Sequence, residues 1–274
     1  MPPPPVEAGM LPLLSSSLDR APTPARPLLI LKLGGDALAT PERIVLAARH
    51  VHQHTAGADV VVVTSARRGV TDQLTRLAAD VGEALGLSAG DIESERAIAA
   101  GEIVSAALVA AALTRLGSPA ISLDAREAGL RGRHRAGAVS LTHVRTSRIR
   151  RVLTRGLIPV VAGFQVVEGS RLRILGRGGS DITAVALAAA LGAAECHFLK
   201  QCGLREKDPR IDPDACPVDH IDYPTLSRIL STSGQVLHPD AARLANRHDV
   251  LLHFVPFPVP GRTSRVSQRP GCAT

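Results

Sequence analysis

The chain has no tryptophan, one tyrosine and four phenylalanines in 274 residues. A core without aromatic bulk must be built from Leu, Val, Ala and Ile. So few aromatic faces also argue against binding single-stranded nucleic acid by base stacking. The four cysteines, Cys196, Cys202, Cys216 and Cys272, form no C-x-x-C pair. With no secretory context, they suit reduced thiols in a cytoplasm better than a disulfide framework. No uninterrupted apolar run reaches membrane-spanning length, so no membrane partner is expected. A G-x-x-x-x-G-K-S/T phosphate loop, the protein-kinase signature set and internal repeats are also missing.

What is present is a chain that is 45% hydrophobic, enough for one large core or two modest ones. Residues 1–26 carry Pro2 to Pro5, Pro22, Pro24 and a serine run without periodicity, and read as a disordered tail. The tail lacks a basic region before its apolar patch and makes a poor signal peptide. The net charge of +7 and pI of about 10.0 suit an anionic partner. Nine arginines fall between Arg126 and Arg155 with one acid among them. A nucleic-acid patch is one reading. The plainer one, preferred here, is a helix after Ser147 that buries Ile149, Val152 and Leu153 and leaves its arginines in solvent. His50, His52 and His54 alternate, so only His50 and His54 share a helical face, and a zinc site would need further ligands the sequence does not show.

Strand and helix patterns alternate along the rest of the chain. Leu28 to Leu33 is a buried parallel-type strand with Lys32 near its C-terminal end, where open α/β sheets bind ligands. It ends at Gly34-Gly35, and Thr40-Pro41-Glu42 starts a helix. Val60 to Thr64 is a second strand, followed by a polar loop from Ser65 to Asp72 in which Thr71 could also be a helix N-cap. Ile92 to Leu116 is helical, with Gly101-Glu102 in its interior; that pair is locally unfavourable by about 1 kcal/mol and hints at a close approach, although Glu102 could instead face solvent. Leu157 to Ala162 is a strand ending at Gly163-Phe164. Leu172 to Leu175 is another, and Gly176-Arg177-Gly178-Gly179-Ser180-Asp181 then opens an apolar helix from Ile182 to Leu191. A glycine-rich turn entering a helix gathers free N–H groups and the positive end of the dipole at one point. Arg177 adds a fork suited to a carboxylate or phosphate, and Ser180 or Asp181 is a natural N-cap.

The segment Gly176 to Asp181 resembles, residue for residue, the G-R-G-G-S-D segment of aspartokinases, within the amino-acid kinase superfamily. The resemblance runs from about Leu28 to Phe257. Lys32, Gly34 and Gly35 match the family's first strand, Lys-Phe-Gly-Gly-Thr-Ser, with Asp36 and Ala37 in place of Thr and Ser. Ser65, Gly69 and Thr71 match a Ser-Ala-x-x-Gly-x-Thr loop, and Glu102, Gly163 and Phe164 match acceptor-site positions. Further on the match is partial. Gly203 and Asp208-Pro209-Arg210 agree with the nucleotide loop, whereas Leu199, Lys200, Cys202 and Arg205 replace its Thr, both Asp and Tyr. Gln235 stands where the family has a second phosphate-binding lysine, just before Val236-Leu237-His238-Pro239.

The resemblance implies a three-layer α/β/α sandwich around an open, mainly parallel sheet over residues 27–257. It also implies an acceptor lobe at about 27–170, a nucleotide lobe at about 171–257 and a short polar tail at 258–274, with no room for the regulatory domains that follow in the family. The implied reaction moves the ATP γ-phosphoryl group to the carboxylate of L-aspartate or a related amino acid, with Mg2+ bridging the phosphates. Lys32 and Asp181 would be catalytic. Ser65, Thr71, Glu102, Phe164, Arg177 and Ser180 would hold the amino acid. Lys32, Gly34, Gly35, Lys200, Gly203, Arg205, Arg210 and Gln235 would hold the nucleotide, and no residue is assigned to a metal. The partners implied are a small amino-acid substrate and, at most, further copies of the chain in a homo-oligomer. The substitutions at Leu199, Lys200, Arg205 and Gln235 keep open an impaired relative that binds an amino acid or a partner.

Overall fold

A computed structural model describes residues 26–84, 92–135, 137–205, 215–232 and 236–268. The proline-rich tail up to residue 25, the Asp208-Pro209-Arg210 motif, Gln235 and Cys272 lie outside these residues. In chain order the elements are β1 Leu28–Leu33, α1 Pro41–His54, β2 Asp59–Thr64, α2 Val70–Ala84, α3 Ile92–Arg115, β3 Ala120–Leu123, β4 Leu130–Arg135, β5 Ala138–Val144, α4 Ser147–Leu153, β6 Ile158–Ala162, β7 Gln165–Glu168 and β8 Arg171–Ile174, followed by α5 Gly179–Leu191, β9 Glu195–Lys200, β10 His220–Asp222, α6 Tyr223–Thr232, α7 Pro239–Arg247, β11 Leu251–Pro256 and β12 Ser264–Ser267.

Eight strands form one sheet in the order β10-β12-β11-β9-β1-β2-β6-β3, parallel throughout except where β11 meets β12. Its strands have two buried faces, and side-chain alternation assigns each residue to one of two cores. Leu29, Leu31, Leu33, Val60, Val62 and Val160 pack under α1 and α3. Leu28, Ile30, Val61, Val63, Val161 and Phe198 pack on the other face, under α5, α6 and α7. The expected α/β/α sandwich is therefore present. Helix α1 starts as its sequence requires, with the Thr40 side chain accepting a hydrogen bond from the Arg43 N–H and Pro41 in the first turn.

A second sheet, β5-β4-β7-β8, lies beside the first and was not foreseen in the sequence pattern. Helix α5 touches both sheets, and eleven of its thirteen residues are buried, which explains why it is apolar on every side. Leu172 to Leu175, expected simply as a strand before the glycine turn, belongs to this small sheet as β8. The lobe boundary expected at about residues 170 and 171 would fall in the β7–β8 hairpin.

Three further expectations change. Residues past Phe257, read as a short polar tail, supply β12, which inserts between β10 and β11 and buries Ser264 and Val266 while Arg265 faces out. Alternation over four residues was too short a signal to separate that strand from a tail. The arginine-rich segment divides into the β4–β5 hairpin and α4, where Ile149 and Val152 are buried as expected, but Leu153 is only partly buried and Arg150, expected in solvent, donates to Leu191 O at 3.2 Å. Helix α3 is long and apolar enough to cross a membrane by length and composition. Here Ala99, Ala106, Val109 and Leu113 are buried along one side, with Glu102 buried among them.

Candidate active site

Four adjacent parallel strands, β9, β1, β2 and β6, deliver their C-terminal ends to one edge of the sheet. That edge gathers Gly34-Gly35, the loop from Ser65, Gly163-Phe164 and the segment from Lys200 to Gly203. Backbone bonds lock it together: Ser65 N–H donates to Leu33 O at 3.0 Å, and Gly163 N–H donates to Thr64 O at 3.0 Å.

The glycine turn meets this edge from the side of the small sheet. Gly176 and Gly178 adopt φ of 77° and 74°, in the left-handed region that side chains avoid. At Gly178 a Cβ would also come within 2.4 Å of the His238 ring. These residues wind the chain so early that α5 begins at Gly179, with Gly178 as N-cap and no side chain capping it. The expectation that Ser180 or Asp181 caps the helix is therefore corrected. Both lie inside the first turn and are buried, Ser180 against Gly163. Freed from capping, Asp181 turns its carboxylate to the lysines.

Lys32 Nζ sits 2.7 Å from Asp181 Oδ1, and Lys200 Nζ sits 4.0 Å from Oδ2. The contacts are those of ion pairs. His238 N–H approaches the same Oδ2 at 3.4 Å. Alternation places Lys32 and Lys200 on the α5 face of neighbouring strands, which is why two residues so far apart in sequence meet. Burial would raise the Asp181 pKa, but Lys200 and Lys32 outweigh it and the group stays ionised. Burial lowers the Lys200 pKa; Asp181 opposes that shift and Lys32 adds to it. Two ammonium groups against one buried carboxylate leave a site suited to an anion.

Asp36, which introduces an acid beside that site, is compensated. Arg68 Nε pairs with its Oδ1 at 2.9 Å, and Gln201 Nε2 donates to its Oδ2 at 2.9 Å. It thus ties the first glycine turn to the Ser65 loop and to the segment after β9. Gly35 permits the approach, since a Cβ there would lie 2.9 Å from Ala66 O. Asp36 and Asp181 are both ion-paired, so among the described residues this edge shows no open cage of carboxylates; a Mg2+ would be held chiefly by the donor's phosphates.

Glu102 is 3% exposed, which removes the solvent-facing alternative. Its Oε1 accepts from the Ala66 N–H at 3.0 Å, while Oε2 is buried without a partner. Burial pushes this carboxyl up to about 7, against the opposing pulls of the Ala66 N–H and Lys32. An unsatisfied buried carboxylate oxygen is costly, and a cationic ligand would satisfy it. The close approach hinted at by Gly101 is intramolecular: a Cβ there would meet the Ala66 Cβ at 2.9 Å.

Thr71 lies in the first turn of α2, after Val70, and so is not the N-cap. Phe164 is buried with φ of 70°, a strained setting of the kind that collects at functional sites, and its carbonyl accepts from Leu175 N–H at 2.8 Å. The Arg177 side chain is 90% exposed and lies 3.9 Å from Asp72 Oδ1, poised outside the edge rather than packed in it. Gly203 is required by its neighbours, because a Cβ would meet Arg262 O at 2.6 Å. Arg205 donates to Ala215 O at 2.8 Å. His238 was not picked out from the sequence; its signal was its place before Pro239, where it caps α7 by accepting from Asp240 N–H.

A lysine-lined edge with a glycine-opened helix, on a doubly covered parallel sheet, is suited to an anion at the carboxyl ends of the strands. Residues 27–255 match the model of the amino acid kinase family, and the chain belongs to that family. It is similar to the aspartokinase of Geobacillus stearothermophilus, 37% identical over 228 residues covering 82% of this chain and 55% of the relative. It is also similar to that of Corynebacterium efficiens, 40% identical over 221 residues covering 77% and 50%. The aspartate kinase structure from Synechocystis superposes with a TM-score of 0.75 at 32% identity, covering 90% of this chain and 41% of that one. The chain thus spans about half the length of the curated relatives it matches. Escherichia coli aspartokinase III in complex with aspartate and ADP shares the fold, with a TM-score of 0.77 at 23% identity and coverage of 88% and 65%.

Proposed function

We propose that the chain is a phosphotransferase that moves the ATP γ-phosphoryl group to the carboxylate of an amino acid, with L-aspartate as the first acceptor to test. The observation that carries this reading is the convergence of Lys32 and Lys200 on Asp181. Transfer to a carboxylate brings two anions together, so it needs fixed positive charge and oriented N–H groups more than a general base. Lys32 and Lys200 supply the charge and Asp181 holds them in place. The second lysine takes up the role that Gln235 cannot perform. The Gly34 and Gly35 amides and Gly203 line the donor side, where Arg205, Arg210 and Gln235 are assigned by resemblance. Mg2+ bound together with the donor beside Lys32 and Lys200 would supply further positive charge against the phosphates.

On the acceptor side, Glu102 Oε2 is suited to the substrate ammonium, and the N-terminus of α5 with Ser180 is suited to a carboxylate. Arg177 closes on that carboxylate from its exposed position, with Ser65, Thr71 and Phe164 along the wall. The binding of aspartate and ADP by the Escherichia coli relative supports these ligand classes.

The test is hydroxamate trapping of an acyl phosphate, with ATP, Mg2+ and a panel of amino acids. ATP-dependent hydroxamate with aspartate or a near relative supports the reading. No product across the panel, with amino-acid binding retained, would instead identify an amino-acid-binding relative that has lost transfer.

A further inference from the structure

On the α1 face of the sheet, away from Lys32 and Lys200, the fold completes a cluster that the sequence showed only in part. His50 and His54 share a face of α1, as their spacing requires, with ring centroids 4.8 Å apart. They lie over β9 and β11. His54 stands edge-on to His197 at 5.9 Å, and His197 and His253, paired in register on the two strands, have ring centroids 4.4 Å apart. Glu195 joins them: its Oε2 is 2.5 Å from His197 Nε2 and 3.4 Å from His253 Nε2. One ligand atom from each of Glu195, His197 and His253 fits within 4.8 Å of the others. His253 is 5% exposed, and its Nε2 is buried without a hydrogen-bond partner although it is directed at Glu195.

We propose that Glu195, His197 and His253 bind a divalent transition metal of the zinc class, an interaction separate from the phosphotransfer site. Two imidazoles and a carboxylate form a mixed nitrogen and oxygen donor set, which suits Zn2+ and its first-row neighbours and not Mg2+. Ligand atoms around tetrahedral Zn2+ lie about 3.3–3.5 Å apart, given bonds of about 2.0–2.2 Å. The Glu195–His253 spacing already meets this. The Glu195–His197 contact, now a hydrogen bond, opens by about 0.9 Å as the metal replaces the shared proton. The fourth position goes to water or to the neighbouring His54. A metal here cross-links β9 to β11 beside the last turn of α1, so it stabilises the fold.

The experiment uses the full chain, stripped with a chelator and titrated with Co2+ and then with Zn2+. The expected results are one metal per chain, visible Co2+ ligand-field bands of a nitrogen and oxygen site that Zn2+ displaces, and a rise in Tm. Glu195→Gln keeps the shape of the side chain and should lower affinity by about 10- to 100-fold or more, with the Tm rise lost. His253→Gln serves as a second variant, and metal-free circular dichroism identifies which variants fold. Unchanged metal uptake by a folded variant would overturn the proposal. So would a near-ultraviolet thiolate band, which places the metal on cysteine, or no uptake by the wild type.

Discussion

Lys200 lies 4.0 Å from the carboxylate of Asp181 that Lys32 already holds at 2.7 Å, so two strands deliver two cations to one buried acid. This relationship supports assigning Lys200, rather than Gln235, as the second donor-binding charge. It also sets Asp181 as the positioning group: removing it would leave two ammonium groups facing each other.

Glu102 predicts a pH dependence. Its carboxyl titrates at about 7 in the free protein. If it holds the substrate ammonium, amino-acid affinity should fall by about fivefold between pH 7 and pH 6 as Glu102 takes up a proton. Glu102→Gln should bind more weakly and lose that dependence; calorimetry at several pH values measures both. For the free fold the sign is opposite. The native state keeps a proton that the unfolded chain releases above the ordinary carboxylate value, so Glu102 costs stability as pH rises towards about 7.

Arg177→Ala should weaken amino-acid binding by roughly 1.5–3 kcal/mol, the scale of a hydrogen bond to a charged group. Nucleotide affinity should stay the same, because the side chain lies on the α2 side, nearest Asp72. Unchanged amino-acid affinity would remove Arg177 from the acceptor site.

The two left-handed glycines should separate in a stability measurement. Gly176→Ala meets no atom within 4 Å and should cost only the backbone strain, about 1–2 kcal/mol. Gly178→Ala adds a clash with His238 and should cost clearly more in urea unfolding. Equal losses would mean that the turn and α7 are not packed as described.

Much of this site was legible because its signals are local. Lys32 before a double glycine, and a glycine run feeding an apolar helix, announce a ligand edge from chemistry alone, and the match to aspartokinases gave that edge an activity class. What could not be read depends on distance in sequence. The pairing of Lys200 with Asp181 needs the register of β9 against β1, and the neutralisation of Asp36 by Arg68 needs two loops brought together. Capping was misassigned at Ser180 and Asp181 because propensity favours them, whereas the left-handed glycines start the helix sooner. In the small sheet β7, and in the large sheet β12, escaped for want of periodicity in strands four residues long, while β4 and β5 lie in the arginine-rich stretch that was read only for its helix. The histidine cluster escaped because α1, β9 and β11 each hold only part of it.

The most direct test of the central claim is the rate of ATP-dependent hydroxamate formation with aspartate in the wild type, Lys200→Ala and Gln235→Lys. Turnover is expected in the wild type, with a loss of about 10²-fold or more in Lys200→Ala and little gain in Gln235→Lys, because the second charge is already present. No turnover in the wild type, or full turnover in Lys200→Ala, would contradict it.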